Sequence, residues 1–101
     1  MRPKSSKVNP KNLTTEILFA LMVADSIYRG HGKELIVTSL NDSKHSPLSL
    51  HYRDGICNAA DLRTHYFNSP KIVAEELRNA LHDDYDVVLE ADHIHLEYDP
   101  K

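Results

Sequence analysis

The chain has 101 residues, of which 41% are hydrophobic and 27% are charged, and its formal net charge is −3. This length fits one domain, because a second core would be too small to be stable alone. The composition excludes a disordered or fibrous protein, and the acidic balance excludes the basic surface that nucleic-acid binding requires. The single cysteine, Cys57, excludes an internal disulfide and is expected as a buried or half-buried free thiol.

The first residues are polar and locally basic, so residues 1–11 are predicted to be a flexible lead-in to one domain over residues 12–101. The apolar run at residues 17–24 is too short to span a bilayer. No clean small-residue cleavage pattern follows it, as a signal peptide would require. We therefore expect a cytoplasmic location in the producing cell, no membrane partner and a monomer.

The first predicted helix follows this lead-in, with Asn12 or Thr14 as its cap and Gly30 and Gly32 as stop signals. Its apolar residues recur at helical spacing and predict one buried face. They are Leu13, Ile17, Ala20, Leu21, Ala24 and Tyr28.

The next segments alternate between strand and helix patterns. Residues 35–40 are β-branched and predict a strand, residues 41–50 are polar and predict a loop, and residues 59–64 predict a second strand. Ser69 and Pro70 are typical of a helix start, and Asp83 with Asp84 would end that helix. Residues 85–89 and 94–98 then predict a hairpin or one bent strand. The whole predicts an α+β fold, with two helices packed on a small, mostly antiparallel sheet.

Seven histidines are more than this length leads one to expect, and two of them form a His-Ile-His triplet. Polar residues gather in two clusters beside predicted strands. One runs from His45 through His51 to Asp61, and the other comprises Glu90, Asp92, His93 and His95. Because side chains alternate along a strand, His93 and His95 point to the same face. Zinc prefers imidazole and carboxylate ligands, so a set of two histidines and one aspartate from these clusters predicts a zinc site.

The residues from Ser49 to Thr64, read as SLHYRDGICNAADLRT, resemble the S-x-H-x-x-G-x-A-x-D motif of the D-alanyl-D-alanine metallopeptidases. This group includes VanX-type dipeptidases, phage L-alanyl-D-glutamate endolysins and the signalling domain of hedgehog proteins. The closing EADHIH is similar to their second motif. The resemblance implies a hedgehog-like peptidase fold and one Zn²⁺ per chain, held by His51, Asp61 and His95.

The spacing departs from the family pattern between the first two ligands. Asp61 follows His51 by ten residues instead of seven, and Gly55 is one residue late. A longer loop is tolerated where the flanking strands keep their register. Asp61 is the preferred ligand because the residues around it, AADLRT, reproduce the end of the family motif. Asp54 is the alternative ligand.

The resemblance also implies a base that does not bind the metal. Glu90 is the first choice and corresponds to a hedgehog-like arrangement, whereas Asp92 has endolysin-like spacing to His95. His93 is a third candidate, as base or as donor to the oxyanion. Three further side chains are candidates for substrate binding: the hedgehog-like His45, and Arg53 and Arg63 as clamps for a carboxylate.

The implied function is hydrolysis of a peptide bond in the bacterial cell-wall stem peptide, beside a D-amino acid or between L-Ala and D-Glu. The small size suggests a phage-type or accessory enzyme that acts on the wall when released. The alternative is a non-catalytic zinc-binding interaction module of hedgehog type. A retained acidic base favours catalysis.

Overall fold

The computed structural model describes residues 1–40 and 57–100. The predicted loop at residues 41–50 and the candidate site residues His45, His51 and Arg53 therefore lie outside the described residues, as does Asp54. The described part of the chain forms a five-stranded, mostly antiparallel sheet with two helices, which confirms the α+β class.

The strands are β1 (Arg2–Pro3), β2 (Ile36–Ser39), β3 (Ala59–Arg63), β4 (Tyr85–Leu89) and β5 (His93–Tyr98). The helices are α1 (Thr15–Gly30) and α2 (Pro70–Leu81), and a short 3₁₀ helix, His82–Asp84, follows α2. The order across the sheet is β1-β2-β3-β5-β4. The β1 and β2 strands pair in parallel, and every other neighbouring pair is antiparallel.

Both helices begin where the sequence predicts. Thr14 is the cap of α1, and its hydroxyl oxygen accepts a hydrogen bond from the Ile17 amide at 3.1 Å. After α1, Gly32 adopts a φ of 74°, a conformation that costs glycine little. Pro70 occupies the first turn of α2, but the helix already ends at Leu81, before the predicted break at the two aspartates.

The two helices lie on one face of the sheet and form the core with it. Alternate residues of β5, such as Ile94 and Leu96, are buried on this face, as is Leu62 of β3. From α1 and α2 the core receives Ile17, Ala20, Leu21, Ala24, Tyr28, Val73, Ala74, Leu77 and Leu81. The residues between the buried strand positions consequently point to the second face of the sheet.

The last two strands form an antiparallel hairpin, which decides between the two predicted arrangements. Val87 lies opposite Leu96, and Val88 lies opposite His95. The Glu90 amide closes the turn by donating a hydrogen bond to the His93 carbonyl at 2.8 Å. The hairpin thereby fixes His93 and His95 beside the centre of the sheet.

The N-terminal segment packs onto the domain, although the sequence analysis sets it apart as a lead-in. Arg2 and Pro3 extend the sheet beside β2, and the Lys4 amide donates a hydrogen bond to the Val37 carbonyl at 2.8 Å. Val8 is buried in the core. A two-residue strand has no periodicity of its own, so its position depends on the partner strand and not on a local pattern.

Candidate metal centre

The pairing of β3 with β5 brings the predicted site residues of both strands together. Asp61 lies directly opposite His95, and Arg63 lies opposite His93. These four side chains share the second face of the sheet, because their neighbours Leu62 and Ile94 point into the core. The period-two interpretation of the His-Ile-His triplet is therefore correct in the structure.

Imidazoles and carboxylates form a row along this face. His93 Nδ1 lies 2.6 Å from Asp92 Oδ1, and its Nε2 lies 3.7 Å from Asp61 Oδ1. The same Asp61 oxygen lies 2.9 Å from His95 Nδ1, and His95 Nε2 lies 2.7 Å from Glu97 Oε1. Four side chains from β3 and β5, and Asp92 from the turn before β5, are thus connected by hydrogen bonds or ion-pair contacts.

The environment of His95 favours its charged form. The hydrogen bond to Asp61 is the main cause that raises the His95 pKa to about 9, and burial opposes it. The bond to Glu97 and the charges of both carboxylates raise this pKa further. At neutral pH His95 is therefore an imidazolium that donates one hydrogen bond from each ring nitrogen.

Asp61 and His95 fit the chemistry of a zinc site. Their side chains are about one-fifth exposed, and the 2.9 Å between Asp61 Oδ1 and His95 Nδ1 is close to the about 3.3 Å expected between two ligands of tetrahedral zinc. Asp61 and His95 would hold the metal through these two atoms, which a hydrogen bond joins in the structure. The third predicted ligand, His51, lies outside the described residues.

Glu97 is a residue of this centre that the sequence analysis missed. Its carboxylate contacts the ring nitrogen of His95 that faces away from Asp61. A histidine that binds a metal usually donates its other N–H to such an acceptor, which fixes the ring orientation. The signal was present in the sequence, because Glu97 continues the period-two series of His93 and His95.

The three candidate bases have different surroundings. Asp92 is 86% exposed, and its hydrogen bond with His93 lowers the Asp92 pKa, so this carboxylate is ionised at neutral pH. His93 contacts both Asp92 and Asp61. Glu90 is exposed in the turn between β4 and β5, where its amide bonds to the backbone of His93.

A second acidic cluster lies at the other end of β5. One ligand oxygen from each of Asp86, Glu97 and Asp99 lies within 4.8 Å of the others, and no other such trio is found in the described ranges. These carboxylates could hold a metal ion. Three oxygen ligands without imidazole suit a hard cation better than zinc.

Two clefts flank the row of imidazoles and carboxylates. The larger, of about 700 Å³, is lined by His95 and Glu97 together with Arg78, His82, Tyr85 and neighbouring residues of β4. The smaller, of about 310 Å³, is lined by Lys4, Thr38, Arg63, His65, Asp92 and His93. Arg63, a predicted substrate-binding residue, therefore lies in a cleft beside the candidate centre.

Other sequence features have structural roles. Cys57 is buried, and its thiol lies 3.3 Å from the Ala59 carbonyl oxygen. His31 pairs with Glu76 across the two helices. Neither helix in the described part of the chain has the length and apolar character that crossing a membrane requires.

Comparisons with protein-family models, with curated proteins and with solved structures find no match for this chain. The resemblance to the metallopeptidases therefore rests on the two sequence motifs alone.

Proposed function

We propose that the chain is a zinc-dependent peptidase that hydrolyses a peptide bond in the bacterial cell-wall stem peptide. The observation that supports it most is the 2.9 Å contact between Asp61 and His95 across β3 and β5. These two residues belong to different motifs and are 34 positions apart in the sequence. A plain surface triplet of histidines would not require an acidic partner from the neighbouring strand.

His51, Asp61 and His95 would hold the metal, and Glu97 would orient His95 through its second ring nitrogen. When bound, zinc lowers the pKa of a coordinated water and polarises the scissile carbonyl. The half-buried face around Asp61 limits the access of bulk water and strengthens the charge interactions of the site.

In this proposal Glu90 accepts the proton of the attacking water, as the hedgehog-like arrangement implies. The hydrogen-bonded pair of Asp92 and His93 is the alternative, and it has direct contact with Asp61 in its favour. Where Glu90 is the base, His93 is a donor to the oxyanion of the tetrahedral intermediate.

The decisive experiment incubates the zinc-loaded protein with peptidoglycan stem peptides and identifies new termini by mass spectrometry. We expect one cleavage, beside a D-amino acid or between L-Ala and D-Glu, that is lost in His95→Ala. Full zinc binding without any cleavage would contradict the proposal and favour a non-catalytic, hedgehog-type zinc module.

The base is identified by amide substitutions, because an amide keeps the size of the side chain but accepts no proton. We expect Glu90→Gln to lower the cleavage rate by about two to four orders of magnitude. Its zinc content and melting temperature should stay near those of the wild type, because the three ligands are unchanged. Asp92→Asn is the matched variant. If it loses the activity while Glu90→Gln keeps it, Asp92 is the base.

A further inference from the structure

The smaller cleft joins the N-terminal segment to the candidate metal centre. Its walls are formed by Lys4, which follows β1, by Thr38 of β2, by Arg63 and His65, and by Asp92 and His93. We propose that this cleft binds a free carboxylate of the substrate, with Lys4 and Arg63 as the binding residues. The assignment to a peptide substrate rests on the proposed peptidase function.

The charges that line the cleft favour an anion. Lys4 and Arg63 both contribute permanent positive charges, and neither forms a salt bridge with a carboxylate of the described residues. The one carboxylate in the wall, Asp92, already accepts a hydrogen bond from His93 at 2.6 Å. An incoming carboxylate would be attracted by both cations, and the Arg63 guanidinium is suited to bind it through two parallel hydrogen bonds.

The backbones of both cationic residues are held in place. The Lys4 amide donates to the Val37 carbonyl at 2.8 Å, and the buried Tyr28 hydroxyl donates to the Arg63 carbonyl at 2.8 Å. Thr38 donates its hydroxyl to the Asp61 carbonyl at 3.3 Å, so this proton is already used, while Lys4 and Arg63 supply the positive charge of the cleft wall. Fixed backbones lower the ordering cost of binding a small anion.

The distance along β3 suggests which carboxylate is bound. Asp61 and Arg63 are two residues apart on one strand face, which corresponds to about 7 Å. A substrate group bound at Arg63 would therefore lie close to a bond cleaved beside Asp61 and His95. The cleft therefore suits a free carboxylate on the residue directly after the scissile bond.

The test measures binding without requiring cleavage. N-acetyl-D-alanine and its uncharged amide are titrated into the zinc-loaded full chain, and binding is followed by amide chemical shifts. We expect the carboxylate to bind roughly tenfold more tightly than the amide, which is the usual worth of a charged hydrogen bond. Lys4→Met and Arg63→Met should each reduce this preference, and Lys4→Arg should restore it. Lys71→Met, the same charge change on α2, should leave it unchanged.

Equal binding of the two probes would overturn the inference, as would a preference that survives both methionine variants. Tighter binding of inorganic phosphate than of N-acetyl-D-alanine would overturn the assignment to a carboxylate. If stem peptides are cleaved but no preference exists, only the subsite is wrong. If the preference depends on Lys4 and Arg63 but no stem peptide is cleaved, the carboxylate site stands and the proposed peptidase function fails.

Discussion

At the scale of single residues, His95 is held by two carboxylates, one on the neighbouring strand and one on its own. Both contacts favour the imidazolium as long as no metal is bound. With zinc held by Asp61 and His95, Glu97 would accept a hydrogen bond from the remaining N–H of the His95 ring. The same side-chain geometry would therefore suit both the protonated and the metal-bound form of His95.

Removal of the Glu97 carboxylate should weaken zinc binding without unfolding the chain. We expect Glu97→Ala to lower zinc affinity by about 10- to 100-fold, the usual effect of losing an acceptor behind a ligand. Glu97→Gln should restore part of the affinity, because its amide oxygen still accepts the Nε2–H. Competition with a chromophoric chelator measures the affinity, and Glu75→Ala on the far helix is the control. Equal affinity of all variants would show that Glu97 does not orient a zinc ligand.

The charge of His95 makes the stability of the metal-free protein depend on pH. Folding raises its pKa from an ordinary 6.5 to about 9, so the folded state binds the proton more tightly than the unfolded chain. This contribution to the free energy of unfolding is full below pH 6.5 and disappears as the pH rises through about 9.

Urea unfolding of the EDTA-treated protein at about pH 6 and about pH 9.5 should therefore show lower stability at the higher pH. His95→Gln removes the titrating group, so its loss of stability between the two pH values should be smaller. An equal loss in both proteins would assign the pH dependence to other groups.

Part of this site was predictable from the sequence. The common face of His93 and His95 follows from the alternation of side chains, which any strand imposes. The contact between Asp61 and His95 was suggested by the motif resemblance alone, because local patterns do not specify which residues of two distant strands lie opposite each other. Glu97 lies beyond both motifs, so neither the resemblance nor the His-Ile-His triplet pointed to it.

At the scale of elements, α1 positions β3 through one buried hydroxyl. Tyr28 is completely buried near the end of α1, and its hydroxyl donates to the Arg63 carbonyl at 2.8 Å. Burial raises the pKa of this phenol well above its usual value, so the donor stays protonated. The bond connects the helix layer to the strand that carries Asp61.

Tyr28→Phe should destabilise the protein by about 1–3 kcal/mol, because the Arg63 carbonyl loses its partner while the ring is kept. Tyr98→Phe is the matched control, because no hydrogen bond of its hydroxyl is found within the described ranges. We expect that variant to change stability by less than about 0.5 kcal/mol. Urea unfolding measures both. If both variants lower the free energy of unfolding equally, the hydrogen bond of Tyr28 contributes nothing measurable to stability.

The helices and longer strands were predictable because each has a local signal. Thr14 and Pro70 marked the starts of α1 and α2, and residues 85–89 contain the aromatic and β-branched residues that favour a strand. The strand at Arg2 and Pro3 was not predictable, because it exists through hydrogen bonds to β2. This strand brings Lys4 to the cleft that His93 also lines.

At the scale of the whole molecule, the two faces of the sheet differ in composition. One face buries the apolar side chains of both helices and accounts for the core. The other face carries Asp61, His93, His95 and Glu97, whose polar groups contribute no hydrophobic stabilisation. Two of the proposed zinc ligands, Asp61 and His95, lie on the adjacent strands β3 and β5, and the third, His51, lies between β2 and β3 in the sequence.

Zinc should therefore stabilise the entire fold, because a ligand that binds only the folded state raises its stability by mass action. Free zinc at about 100 times its dissociation constant contributes about 2.7 kcal/mol. For a domain of this size, that corresponds to a rise in melting temperature of roughly 10–20 °C.

Calorimetry with and without zinc measures this rise in melting temperature, and EDTA should reverse it. His51→Ala and His95→Ala should abolish the shift, whereas His31→Ala, which removes an imidazole at the end of α1, should keep it. A full shift in His95→Ala would exclude this residue as a ligand, and its loss in all three variants would show that general destabilisation is being measured.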